Sequence, residues 1–429
     1  MKMYKKGYFF RAATPSSSYT THTSDCCVQV PSIADLNEMH GMPAGLIEDQ
    51  FQRLSNMTKV LEQIRKLNPA LPIMTTDQVT LPVIWSKLFA EIRNGSEKDA
   101  LALFSQIPAR DPILQALLSA HPAEYLQEII KYSVLSRQSQ MLVLESEITI
   151  TPGAFEILVK DIASTLFHSA AVHFSFGLPT HHAFSTGGSG FCILDKTAML
   201  IKHKARTSNS PLKFMIVGTD INRDNGLSYD LMNSASELDI CHVDVFDSRV
   251  YPGQDHEYIN QEFELIGDDV GEEIKCWKRG HMQYFAVDLS QTQRGAARMH
   301  AALVFALQKV EEQIVRAKKE RQKVMLILPT GWDSHQDETA PCGKYVNGKM
   351  MSKEEAVKTR FNDNDLTCFY EQIFELYHEN KEHIMGIYWG LEGGYKRAMY
   401  EKQIQLLMSL VVDKLLLQSS SKNVLGGGL

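Results

Sequence analysis

Five short apolar runs, Phe214–Val217, Ile240–Val245, Tyr284–Leu289, Val324–Leu328 and Ile384–Trp389, punctuate the second half of the chain at wide intervals. Each has the length of a buried strand, and the stretches between them are long enough to hold helices. The clearest of these runs from about Arg294 to Arg321, with Ala297, Leu303, Leu307 and Val310 near one face and Glu311, Glu312, Lys318 and Lys319 elsewhere. Strands joined through helices cannot pair as hairpins. They predict an α/β fold, a single large domain with a mostly parallel β-sheet flanked by helices.

Before these runs the pattern is helical. Residues 48–66 and 111–135 carry apolar positions at helical spacing, such as Leu114, Leu117, Leu118, Tyr125 and Ile129. A further helix is expected from Gly153 to His173, leading into a Gly-rich loop. The expected division is a flexible leader over 1–25, a mainly helical N-terminal region over 26–150, an α/β catalytic core over 151–417 and a flexible tail over 418–429. The leader holds Lys2, Lys5, Lys6 and Arg11 before any acid, without the apolar segment of a secretory signal. No apolar run approaches the roughly 18–20 residues that span a bilayer, so the expectation is a protein without a membrane anchor. A net charge of -7 argues against general nucleic-acid binding, which needs an excess of Lys and Arg to neutralise phosphates. The seven cysteines are odd in number and contain no C-x-x-C pair, which favours a reducing compartment and a cytoplasmic location.

In sheets of this kind the loops leaving the C-terminal strand ends build the site. Chemical groups concentrate there. Asp220-Ile221-Asn222-Arg223-Asp224 follows the first run, Gly331-Trp332-Asp333-Ser334-His335 the fourth, and Leu391-Glu392-Gly393-Gly394-Tyr395 the fifth. A fourth motif, Thr180-His181-His182-Ala183, lies in the Gly-rich loop, six residues ahead of Gly190-Phe191-Cys192. Imidazoles move protons near neutrality, carboxylates and amides offer oxygen to a metal, and a tyrosine behind two glycines can reach a developing oxyanion.

Taken in order, these segments resemble the histone deacetylase family over about residues 150–415, which implies the arginase/deacetylase-like version of the α/β fold. The resemblance implies His182 as general base, His181 as electrostatic or acid partner, and Tyr395 as oxyanion donor. It also implies a substrate tunnel with Gly190 and Phe191 on one wall, Tyr251 on the other and Gly394 near its floor. The metal loop departs from the family pattern Asp-x-Asp-x-His-His-Gly. Aligned on the preceding strand and on Asn225-Gly226, it makes Asp220, Asn222 and Asp333 the metal ligands, with Gly218 where an acid normally pairs with the first histidine. Shifted by two residues, it makes Asn222 and Asp224 ligands instead. Either register gives an all-oxygen set for Zn2+, open to competition by harder divalent ions. The spacing Asp220-x-Asn222-x-Asp224 also starts a calcium loop, which fails at Asn225 and Leu231.

The function implied is zinc-dependent removal of acetyl groups from N-ε-acetyl-lysine in proteins, histone tails included. Two alternatives stand beside it: a hydrolase of acetylpolyamines or other small amides, and a pseudo-deacetylase that binds acyl-lysine without cleaving it. For a histone substrate and a bacterial source, delivery into a eukaryotic host and action in the nucleus is the alternative location. The polyamine branch carries a glutamate seven residues after the metal aspartate, where this chain has Ala340. Residues 254–280 and 336–352 look like insertions near the rim, whose acids Glu257, Asp268, Asp269, Asp337 and Glu338 would attract a basic peptide.

Overall fold

The computed structural model describes residues 26–37, 50–139, 142–145, 148–253, 264–267, 274–291, 296–338, 345–346, 349–350 and 359–417. The expected leader, tail, Glu257, Asp268, Asp269 and Ala340 lie outside them.

The strands are β1 (Cys26–Val30), β2 (Ile73–Thr75), β3 (Leu142–Glu145), β4 (Ile148–Ile150), β5 (Val172–Ser175), β6 (Leu212–Gly218) and β7 (Asp239–Phe246). They continue as β8 (Glu264–Gly267), β9 (Ile274–Arg279), β10 (Met282–Asp288), β11 (Lys323–Thr330), β12 (Tyr345–Val346), β13 (Lys349–Met350) and β14 (Ile384–Leu391). Ten of them form one sheet in the order β2-β1-β5-β14-β11-β6-β7-β10-β9-β8. From β2 to β10 the pairing is parallel, while β9 and β8 add antiparallel strands at one edge. Helices cover the sheet, including Ala154–Phe167, Lys196–Thr207, Ala296–Glu320 and Asp363–Glu379. Residues 324–328 and 386–391 are almost wholly apolar and buried, as expected for strands covered on both faces.

The five runs seen in the sequence are β6, β7, β10, β11 and β14. Three elements differ from expectation. The helix expected to reach His173 ends at Phe167, and β5 follows it. The periodic stretch 111–135 is two helices, Pro112–Ala120 and Ala123–Ser139, because Pro122 cannot donate the backbone bond that would join them. The N-terminal stretch is mostly helical, yet it also supplies β1 and β2 to the common sheet. Part of the expected rim insertion, 264–267 and 274–279, is edge strand. No helix among the described residues is long and apolar enough to cross a membrane.

Candidate active site

Sheet order explains why motifs far apart in sequence meet. β5, β14, β11, β6 and β7 are consecutive neighbours. The loops leaving their C-terminal ends carry, in the same order, His181 and His182, Glu392 to Tyr395, Asp333, Asp220 to Asp224, and Tyr251. Every group expected from sequence therefore lies at the C-terminal ends of the central strands.

The histidine loop is anchored by Glu392, a motif residue to which the sequence assigned no role. Its buried carboxylate accepts from Thr180 N (2.5 Å), Thr180 Oγ1 (2.9 Å) and His181 N (3.3 Å). The rings of His181 and His182 then lie 3.8 Å apart, both buried. Their partners differ. His182 Nδ1 meets the amide oxygen of Asn225 at 2.6 Å. An amide oxygen only accepts, so Nδ1 carries the proton and Nε2 keeps its lone pair. His181 Nδ1 meets Asp224 Oδ1 at 2.8 Å, and its Nε2 is 3.8 Å from Asp220 Oδ2. Burial disfavours charge on His181, but Asp220, Asp224 and Glu392 outweigh it and push its pKa up to about 10. Burial, together with the charge on His181, holds His182 well below the usual histidine range. The two imidazoles are thus pushed in opposite directions, His181 toward the charged form and His182 toward the neutral one.

Asp224 resolves the gap at Gly218. A Cβ at Gly218 would lie 2.3 Å from Asp224 Oδ2, so the carboxylate fills the space that a side chain at 218 would take. The same oxygen, Oδ2, meets His242 Nε2 at 3.0 Å, and the Asp224 backbone N–H donates to Asp244 Oδ2 at 3.1 Å. Of the two registers for the metal loop, the structure turns Asp224 toward these imidazoles and Asp220 toward Asp333.

Asp220 and Asp333 are both 1 % exposed. Asp220 accepts from Asn222 N (2.7 Å) and Gly393 N (2.8 Å), whereas among the described residues the Asp333 carboxylate receives only a long contact from Ile221 N, 3.4 Å, while its backbone carbonyl accepts from Arg360. Two glycines leave room for them. A Cβ at Gly331 would lie 1.8 Å from Asp220 Oδ2 and 2.5 Å from Asp333 Oδ1. One at Gly393 would lie 1.9 Å from Asp333 Oδ2 and 2.8 Å from Asp220 Oδ2. Burial raises the pKa of both carboxyls, and Asp220 raises that of Asp333 further. Two buried carboxylates turned on one space are the donor set of a hard divalent cation. Asn222 donates its Nδ2 to the Tyr251 carbonyl at 2.7 Å, so its amide oxygen is not used in that bond. The residues present therefore fit a metal ion held by oxygen.

Phe191 and Tyr251 flank this floor. Tyr251 stands edge-on to His182 at 5.0 Å between ring centres, and Phe191 is 6.0 Å from Tyr395. A Cβ at Gly190 would meet His182 at 2.6 Å and Tyr251 at 2.8 Å, so that wall admits only glycine. Gly394, at φ 106°, makes the turn that presents Tyr395. Burial and the nearby Asp333 and Asp220 push the phenol pKa well above its usual value, opposed by Arg53, so it stays a neutral donor.

Two supports were missed in the sequence. Arg53, fully buried on the helix Gln50–Leu67, donates to the carbonyls of Glu392 (2.6 Å), Gly393 (2.9 Å) and Gly394 (2.8 Å) and lies 4.9 Å over the Tyr395 ring. Glu338 is not a rim acid: it is buried and accepts from Tyr395 N (2.6 Å) and Lys396 N (3.0 Å). Asp337 is exposed.

The family model described as "Histone deacetylase domain" matches residues 85–411. The chain belongs to the histone deacetylase family. The solved structure described as the HDA15 HD domain is similar to this chain at a TM-score of 0.56 and 14% identity, covering 91% of this chain and 90% of that one. That likeness bears on the fold. No curated protein sequence matches. Membership makes the chain a deacetylase-type hydrolase, in a family that generally uses zinc.

Proposed function

We propose that this deacetylase removes acetyl groups from N-ε-acetyl-lysine in proteins, histone tails among them, using a divalent ion, Zn2+ or a harder competitor, held by Asp220, Asn222 and Asp333. The reading rests above all on the paired imidazoles, since His182 Nδ1 is bonded to the Asn225 amide oxygen, which leaves the lone pair of its Nε2 free, while His181 Nδ1 is bonded to the Asp224 carboxylate. When bound, the ion polarises the amide carbonyl and lowers the pKa of water. His182 Nε2 takes a proton from the attacking water, and protonated His181 supplies one to the leaving lysine amine. The Tyr395 hydroxyl makes no hydrogen bond among the described residues and donates to the oxyanion. Phe191, Tyr251 and the Gly190 edge enclose the acyl-lysine stem. Gly394 shapes the floor.

The test compares hydrolysis of an acetyl-lysine peptide and of acetylspermidine by the purified chain. Faster turnover of the peptide supports the reading. Preference for acetylspermidine moves the substrate to small amides, and no turnover of either supports a binding protein.

A further inference from the structure

We propose that His242 is a positioning residue for catalysis, holding Asp224 so that a carboxylate from the wrong place in the sequence can orient His181. The inference rests on the deacetylase reading above and adds a residue to it.

The glycine at 218 leaves β6 without a carboxylate beside His181, and the chain supplies one six residues later. A carboxylate brought in on a loop has more freedom than one fixed at a strand end. It needs its own supports. His242, on the neighbouring strand β7, gives Asp224 Oδ2 a contact at 3.0 Å while Oδ1 meets His181 at 2.8 Å. Both carboxylate oxygens are thereby spoken for, and the side chain has one orientation. The supports extend behind it: Asp244 Oδ2 accepts from Asp224 N and from the Tyr284 hydroxyl (2.7 Å), and Tyr284 accepts from Arg223 Nε (3.1 Å). His242 and Asp224 are fully buried, and His242 Nδ1 has no hydrogen-bond partner among the described residues. The ring is therefore tied down through Nε2, with Tyr284 edge-on at 5.1 Å as its wall. An imidazole serves here because it reaches from a strand and donates through a single N–H. Phenylalanine would match its shape without the donor.

The geometry also makes positions 218 and 224 mutually exclusive. With 2.3 Å between a Cβ at 218 and Asp224 Oδ2, only one of them can provide the carboxylate.

The experiment measures kcat and KM for an acetyl-lysine peptide, with melting temperature and the low-field imidazole N–H proton resonances, in His242→Phe, His242→Gln, Asp224→Gly and Gly218→Asp/Asp224→Gly. Expected for His242→Phe is a fall in kcat of about tenfold or more, KM within twofold, and loss of one low-field resonance. Glutamine, which retains an N–H donor, should recover most of that rate. Adding Gly218→Asp to the inactive Asp224→Gly should restore at least tenfold. Equal rates for the phenylalanine and glutamine variants, or loss in proportion to melting temperature alone, would overturn the proposal. So would a second metal equivalent in the wild type that His242→Gln removes, because Asp224, His242 and Asp244 lie close enough together to hold an ion. An inactive wild type that keeps its low-field resonances overturns the deacetylase reading and the role of His242 with it. An active wild type lacking them overturns the hydrogen-bonded chain alone.

Discussion

Replacing Arg53 with methionine should damage stability and catalysis together, because one guanidinium holds three successive carbonyls of the turn that carries Tyr395. The three bonds, 2.6, 2.9 and 2.8 Å long, join a fully buried cation to backbone oxygens of Glu392, Gly393 and Gly394. A hydrogen bond with one charged partner contributes about 1.5–3 kcal/mol. The Gly393 carbonyl also accepts from Trp332 N at 3.2 Å, so two of the three oxygens bear most of the loss. The expected destabilisation is about 3–6 kcal/mol, a fall in melting temperature of roughly 3–7 °C for a chain of this size. Methionine keeps much of the aliphatic volume, so packing contributes little to the difference. The turn would lose its tether and Tyr395 the cation 4.9 Å from its ring, so kcat should fall while KM changes less. Differential scanning calorimetry and acetyl-lysine peptide kinetics check both parts. A melting temperature within about 1 °C of wild type, the shift that about 1 kcal/mol produces in a chain of this size, with unchanged kcat would refute the claim that Arg53 holds the turn.

Further outcomes follow from the same geometry. Tyr395→Phe should keep the fold and lower kcat by about 10²–10³, with KM little changed, since it removes an oxyanion donor; unchanged kcat would remove that assignment. Gly393→Ala puts a methyl 1.9 Å from Asp333 Oδ2 and should abolish metal retention, read by elemental analysis of the folded variant. His121 accepts from Asp195 N through Nε2 (2.9 Å) and meets the Ser185 carbonyl through Nδ1 (3.0 Å), which requires the neutral ring. Burial lowers its pKa from 6.5 to about 4, opposed by the Ser185 carbonyl. The unfolded chain therefore binds more protons between these values: the contribution is complete above pH 6.5 and is lost as pH falls toward 4, by at most about 3 kcal/mol. His121→Gln should flatten that part of a stability-against-pH curve measured by denaturant unfolding, and an unchanged slope would contradict the assignment.

The central strands were legible because burial on both faces leaves continuous apolar runs, as in Phe214–Val217 and Ile384–Trp389. β1 and β5 were not, because their pattern is broken by polar residues that the fold satisfies internally. Gln29 donates to the Asp161 carbonyl at 3.0 Å, and Ser175 accepts from buried Lys196 at 2.9 Å. Short strands carrying Gln29, His173 and Ser175 look like loop until the partners are known. At the site, motif spacing named the groups that touch one another along a single loop or strand end. It could not reveal Asp224 as the partner of His181, since that role depends on the space above Gly218. Nor could it reveal Arg53, which lies 339 residues before Glu392. Glu338 read as a rim acid because an acid in a loop is usually solvated, and only the fold shows it capping the N–H groups of Tyr395 and Lys396.

The most direct test of the account is metal content measured alongside acetyl-lysine hydrolysis, in protein as purified, after chelation and after reloading with Zn2+, with Asp333→Ala as control. The account predicts one divalent ion per chain, turnover lost on chelation and regained on reloading, and neither metal nor turnover in Asp333→Ala. Turnover that persists in chelator, or a chain that binds an ion equally well without Asp333, would contradict it.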